Sequence, residues 1–277
     1  MAIDANPPTA IDFLIQVERF YAGLTQVALL PSAADPEPNL GGKLLYIGEL
    51  DAQGRALAVA ANIAGAASLA ATTDSGAQRQ AIRDGVVDFV VNSLDEALRI
   101  LKNEIRKREP VAVCVALAPE AVEREMQERG VRPDLIPEGL ALGAKADPGF
   151  GPGVREIAPL AAEESQTPLT QALVTWSVAS MATRWMPKLD AMAMDCLDAE
   201  AWETRRWLRL APRYLGRLAQ GVRVMRCAAD DAQDFVARVE LGFMRGEIGI
   251  PVEIQVSSRG LNDRYRFSPH QDSAHGS

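Results

Sequence analysis

The sequence predicts an α/β protein in which a parallel sheet domain is inserted into a second, mostly helical α+β domain. Short apolar runs alternate with helical stretches between residues 43 and 145. Those runs lack the polar alternation of a half-exposed strand, which marks strands buried on both faces. Proline- and glycine-rich segments, "PSAADPEPNLGG" (31–42) and "ADPGFGPGV" (146–154), bracket the region. Strands alternating with helices of this length imply right-handed crossovers and a parallel sheet. The expected boundaries are 43–145 for the sheet domain, 1–42 with 146–260 for a discontinuous second domain, and 261–277 for a flexible tail.

Taken in order, residues 10–30 read as a helix. Thr9 can cap it, and Phe13, Val17, Phe20, Leu24 and Val27 recur at helical spacing. Strand-like runs follow at 44–47, 68–72, 86–91 and 111–117, with a short one near Leu135. Helical stretches fall between them at 54–65, 76–84, 93–108 and 119–129. The third carries a capping box, Ser93 with Glu96, and an apolar stripe of Leu94, Leu98, Leu101 and Ile105.

Beyond 154 the pattern reads mainly helical. Thr167 and Pro168 open a helix that Pro187 ends, and a second helix covers 188–210. An apolar run at 222–227 leads to a helix over 231–245 capped by Asp230 or Asp231. Ile248, Ile250, Val252, Ile254 and Val256 alternate as a strand with one wet face. Pro251 cannot donate to a ladder, which places that strand at a sheet edge.

Composition excludes several functions. The formal net charge of −8 makes nucleic acid or an anionic membrane an unexpected partner. No apolar stretch reaches the roughly 20 residues of a membrane span, and "MAIDANPPTAIDF" lacks the basic and apolar regions of a signal peptide. Cys114, Cys196 and Cys227 form neither a disulfide framework nor a zinc motif, so a cytoplasmic location is expected. Two histidines, His270 and His275, stand in the tail. Triads, Cys–His pairs and His-rich metal sites within the fold therefore lack a member.

The loop after the first strand, "GELDAQGRA", is the first candidate site. Phosphate-cradling loops use glycines to bring bare backbone to the pyrophosphate at a helix N-terminus. Only Gly48 and Gly54 are present, and Glu49 and Asp51 stand where the anion would come. A plain tight connection is the simpler account of the loop, although Arg55 could bind a phosphate itself. At the end of the second strand Thr72 and Asp74 of "AATTDSG" fit either a ribose contact or a helix cap. Asn92, Asp95 and Ala118 lie near later strand ends, where helix-start chemistry explains Ser93 and Asp95. Cys114 reads as a core residue. Arg205, Arg206, Arg209, Arg213 and Arg217, interleaved with Trp207 and Tyr214, read as a solvated helix face or an anion pocket, with Glu200 and Glu203 nearby. Trp176, Trp185, Trp202 and Trp207 read as packing residues.

Three stretches carry a family resemblance: "AVAANIAGAASLAATTD" (58–74), "NSLDEALRIL" (92–101) and "ERGVRPDLI" (128–136). They resemble the NAD-binding domain of urocanase, urocanate hydratase, over residues 43–140; no likeness is legible beyond 150. The resemblance implies a Rossmann-like domain inserted between two parts of a core domain, and a self-associated state such as a homodimer. It also implies a chain about half the family's length. The family's "GGMGGAQP"-type loop falls on "DAQGRALA", where Gly54 alone remains. Its ribose-binding glutamate falls on Thr72, its Asn-Ala pair on Ala118 and Pro119, and its "QTSAH" segment on 139–143, "GLALG". The expectation is a relative without urocanase activity, its cofactor unknown and NAD not favoured. It would bind a small anionic metabolite or nucleotide in the interdomain cleft, or act as a companion subunit. The alternative is an enzyme using NAD in a modified site built from Gly48, Asp51, Gly54, Arg55, Thr72 and Asp74.

Overall fold

The computed structural model describes residues 10–27, 37–140, 154–159, 170–258 and 261–269. The chain divides into two compact units, one of residues 1–161 with 209–218 and one of 162–208 with 219–277.

The first unit holds a parallel six-stranded sheet in the order β3-β4-β2-β1-β5-β6. Its strands are β1 (Leu44–Glu49), β2 (Ala67–Ala71), β3 (Phe89–Val91), β4 (Val111–Val115), β5 (Leu135–Pro137) and β6 (Arg155–Ile157). Its helices are α1 (Ala10–Val27), α2 (Ala52–Ala64), α3 (Ser75–Arg83), α4 (Leu94–Lys107) and α5 (Pro119–Glu128). The expected alternation is present, and β6 adds a strand the sequence did not announce. Helices α4 and α5 close one face of the sheet through Leu94, Leu98, Leu101, Val122 and Met126, which meet Tyr46, Leu69, Val113 and Val115.

Helix α2 explains its own composition. Every residue from Ala56 to Ala64 is buried, because the helix meets β1 and β2 and also α1. A helix buried all round is apolar nearly all round, here with Asn62 as the buried polar residue, and alanines keep it slim. The N-terminal helix, expected in the second domain, therefore belongs to the first unit. Leu14, Val17, Phe20 and Leu24 are its buried stripe, and a pattern of spacing says only that such a stripe needs a partner.

The second unit has an antiparallel sheet in the order β10-β9-β7-β8. Its strands are β7 (Gln171–Val178), β8 (Val222–Ala228), β9 (Val252–Ser258) and β10 (Leu261–Phe267). Helices α6 (Ala182–Cys196) and α8 (Ala229–Met244) pack against the sheet and each other. Helix α7 (Trp202–Leu215) lies along β8, where Trp207 Nε1 donates to the Val224 carbonyl and Thr204 Oγ1 to the Arg226 carbonyl. These bonds occupy outward carbonyls of an edge strand, which would otherwise invite pairing.

Five expectations fail here. Residues 171–178 form a strand instead of a helix, because Ala172, Val174, Trp176 and Val178 are buried at a period of two; the Thr167–Pro168 pair lies outside the described residues. Pro187 stands inside α6. The carbonyl its missing N–H would have met belongs to exposed Thr183, which water can serve. Strand β9 is internal, since β10 pairs along it and Pro251 precedes the ladder; residues 261–267 are thus strand and no flexible tail. Helix α8 starts without a side-chain cap, with Asp230 and Asp231 in its first turn.

The segment "RGVRPDL" fastens the first unit at the other end of β1. The Leu44 N–H donates to Asp134 Oδ2 at 2.9 Å, the Asp134 N–H donates to the Leu44 carbonyl at 2.8 Å, and Lys43 Nζ donates to Asp134 Oδ1 at 2.9 Å. The exposed Lys43 pair contributes little, whereas an orphaned N–H on buried Leu44 does not. Asp134→Ala should lower stability by about 1–3 kcal/mol and Lys43→Ala by under about 1 kcal/mol in chemical denaturation.

Candidate functional site

In the first unit β1 has β2 on one side and β5 on the other. The chain moves from β1 toward β2 and β4, then returns to lay β5 against the opposite side. That reversal opens a crevice beyond the C-terminal ends of β1 and β5, where open α/β sheets hold ligands. A cleft of about 240 Å³ occupies the place. Phe20, Ile47, Leu57, Leu140, Ile157 and Pro159 give it apolar walls, and Glu49, Asp51, Gln53 and Glu138 line it with polar groups. Asp51 and Gly54 line it, while Gly48 lies behind Leu140, where a Cβ on Gly48 would stand 2.9 Å from Leu140 Cδ1.

Strand β1 ends irregularly: its register against β2 slips between Tyr46 and Gly48. Gly48 has a φ of +83°, a conformation that favours glycine. Three residues later Asp51 caps α2, accepting the Gly54 N–H at 2.8 Å on Oδ1. This is the N-terminus at which a bound pyrophosphate would take its hydrogen bonds. The anion there is the chain's own. Gly54 is needed for another reason, since a Cβ would stand 2.1 Å from the Glu49 carbonyl oxygen. It is a packing glycine, holding α2 against the end of β1.

The remaining predicted site residues serve local structure. Arg55 Nη2 pairs with Asp84 Oδ2 at 2.6 Å, both side chains less than one-fifth exposed, so the guanidinium is committed to the start of the β3 connection. Asp74 caps α3 by accepting the Gly76 and Ala77 N–H groups. Thr72 is buried, and its Oγ1 accepts the Asp74 N–H at 3.3 Å. Thr72, Asp74 and Arg55 are not among the described residues lining the cleft. Ser93 caps α4 as expected, and Asp95 forms an ion pair with Arg129. Ala118 gives α5 no side-chain cap, and Pro119 takes the first turn.

Buried titratable groups lie elsewhere in the unit. The Tyr46 hydroxyl donates to Glu123 Oε1 at 3.2 Å. Burial, and then the neighbouring Glu123 charge, pushes the Tyr46 hydroxyl well above its ordinary range. Burial likewise raises the Glu123 carboxyl, against the pull of the Tyr46 bond. Cys114 is fully buried and its thiol is pushed up to about 11, chiefly by burial, so it is an inert core residue. Of the arginine run, Arg205 donates to the Leu197 and Asp198 carbonyls and Arg209 pairs with Glu37. Among the described residues no group of three or more His, Cys, Asp or Glu could hold a metal ion, and no helix is long and apolar enough to cross a membrane. His270 and His275 fall outside the described residues.

Sequence reasoning missed Phe20, Glu138 and Leu140 of the cleft. Phe20 was assigned to the other domain. Glu138 and Leu140 follow a three-residue strand, and residues 141–143 of the matching "GLALG" segment lie outside the described residues. The signal for Glu138 was position, just past a strand next to β1, and Leu140 falls in the segment that matches "QTSAH". Compared with known families, the chain is matched by the urocanase Rossmann-like domain over residues 25–195. The match covers more than half of the 277 residues and extends past the 43–140 resemblance at both ends, including beyond residue 150.

Gly54→Ala should lower stability by about 1–3 kcal/mol, because the new methyl overpacks against backbone. Exposed Gln53→Ala, one residue away, should stay within roughly 0.5 kcal/mol of the parent. Thermal or chemical unfolding checks both.

Proposed function

The chain belongs to the urocanase family through its Rossmann-like domain, and from that premise we propose that it keeps the family's frame as a binding protein without urocanase activity. Its ligand is a small metabolite seated in the cleft beside β1, and NAD is not held there in the family's manner. One observation carries the reading: the Asp51 carboxylate sits on the α2 N-terminus and accepts the Gly54 N–H. A pyrophosphate would have to displace it and then face a like charge.

The cleft's other groups support the same view. Glu49, Asp51 and Glu138 line it, and no Lys, Arg or His stands among the described lining residues. That favours a neutral or cationic ligand with an apolar body over the anionic one expected from the sequence. The ribose-facing positions are spent as well, with Thr72 and Asp74 committed to the β2–α3 turn.

A second reading, an enzyme using NAD in a modified site, is favoured by the cleft's place at the switch point. Gly48 and Gly54 remain beside it. A companion-subunit role is the alternative to ligand binding within this reading; a homodimer is proposed by analogy with the family, and light scattering of the purified chain reads its oligomeric state.

The discriminating experiment is the ultraviolet spectrum and mass of material released on denaturing the purified protein, with a melting series in NAD and ATP. The expected outcome is no nucleotide released and a midpoint unmoved by either compound. A ligand present at a hundred times its Kd would stabilise by about 2.7 kcal/mol, a shift of several degrees. Stoichiometric release of NAD, or such a shift with NAD, would replace this reading by the second one.

A further inference from the structure

The second unit contains a buried acid that the cleft does not use. Asp190 lies on α6, Arg223 on β8 and Trp176 on β7, and Trp176 and Arg223 are direct cross-strand partners. Arg223 Nε donates to Asp190 Oδ2 at 3.2 Å, with the two side chains only 11% and 16% exposed. Backbone holds part of that guanidinium: Nη1 donates to the Ala219 carbonyl at 2.6 Å and the Val222 carbonyl at 2.9 Å. Asp190 thus receives one long bond from an arginine whose Nη1 is engaged by two carbonyls. Its second oxygen, Oδ1, is sealed from solvent and accepts no hydrogen bond. Trp176 Nε1 is equally sealed and donates none, yet it is near enough for the indole to favour the charged carboxylate.

A half-satisfied charge inside a core is costly, and a proton removes that charge. Arg223 would keep its two carbonyl partners when Asp190 is neutral, so protonation strands no cation. The surroundings agree. Burial, the largest influence, pushes the Asp190 carboxyl up to about 6, against the opposing pull of Arg223 and then Trp176. Several other charged groups on the packed elements have partners of their own: Arg184 of α6 stands over the Trp185 ring, and Glu253 of β9 pairs with Arg264 and Arg266. Lys188 of α6 stands over the Trp185 ring. Asp195 of α6 pairs with Arg238 of α8, and those two line a separate groove with Asp234.

We propose that Asp190, Arg223 and Trp176 form a proton-sensitive core in the second unit, which tightens when Asp190 takes up a proton and loosens when it gives one up. Since the folded carboxyl sits above its unfolded value, the stabilisation is fully present below about pH 4 and lost as pH rises to about 6. Mild acidification therefore stiffens this unit, in a way independent of whatever the cleft beside β1 binds.

All four tryptophans, Trp176, Trp185, Trp202 and Trp207, lie in this unit, so tryptophan fluorescence of the full chain reports on it alone. The test is fluorescence-detected denaturation of the parent and Asp190→Asn between pH 4 and pH 7.5. The ratio of their unfolding constants isolates Asp190 from every other titrating group. That ratio should change by about a hundredfold across the range, with the parent losing ground as pH rises. A ratio constant with pH overturns the proposal. Should Asp190→Asn fail to fold, a carboxyl ¹³C titration of the parent decides: a midpoint near 6 supports it, and one in the ordinary aspartate range overturns it.

Discussion

The hydrogen bond from the Gly54 N–H to the Asp51 carboxylate is the contact on which the first unit's chemistry turns. Helix α2 packs against the sheet and α1, and its first turn borders the cleft beyond β1. The N-terminal N–H groups of a helix need acceptors from outside it. In a dinucleotide site the ligand supplies one. Here the Asp51 side chain, three residues upstream, meets the Gly54 N–H. The two glycines of this loop have local structural reasons: Gly48 has a φ of +83°, and Gly54 packs against the Glu49 carbonyl.

The parts of the fold that were legible share a cause: they are set by local pattern. Ser93 with Glu96 marks the start of α4, and unalternating runs such as "VAVCV" mark strands buried on both faces. Interactions between distant segments were not legible. The stripe of Phe20 and Leu24 says that α1 needs a partner, and the alanines of α2 say the same, but neither names the other. The second unit was misread more deeply. In "QALVTWSV" the buried residues alternate, and a proline nearby drew attention to helix signals that fall beyond the strand. Likewise Pro251 suggested an edge, yet β10 pairs outside β9 because the proline sits just ahead of the ladder.

The candidate site shows the same division. Gly48, Asp51 and Gly54 were found because a single loop carries them. Arg55, Thr72 and Asp74 were set beside them as phosphate and ribose ligands, whereas the structure spends them on Asp84, a buried turn and a helix cap. Charge explains much of this. A carboxylate at a helix N-cap accepts the backbone N–H groups of its own first turn, and Arg55 of α2, paired with Asp84 at the end of α3, is engaged by that carboxylate. The motif "RGVRPDL", the most specific part of the likeness, turns out to work away from the cleft, tying Asp134 to the first residue of β1. Part of the family likeness is thus carried by residues that build the frame.

The most direct measurement is the amide resonance of Gly54 in the ¹⁵N spectrum while pyrophosphate is added. If Asp51 owns the α2 N-terminus, that resonance stays in place in the parent protein at concentrations that saturate ordinary phosphate loops. A saturable shift of the Gly54 amide on addition of pyrophosphate would show the anion seat to be open, and would contradict the account.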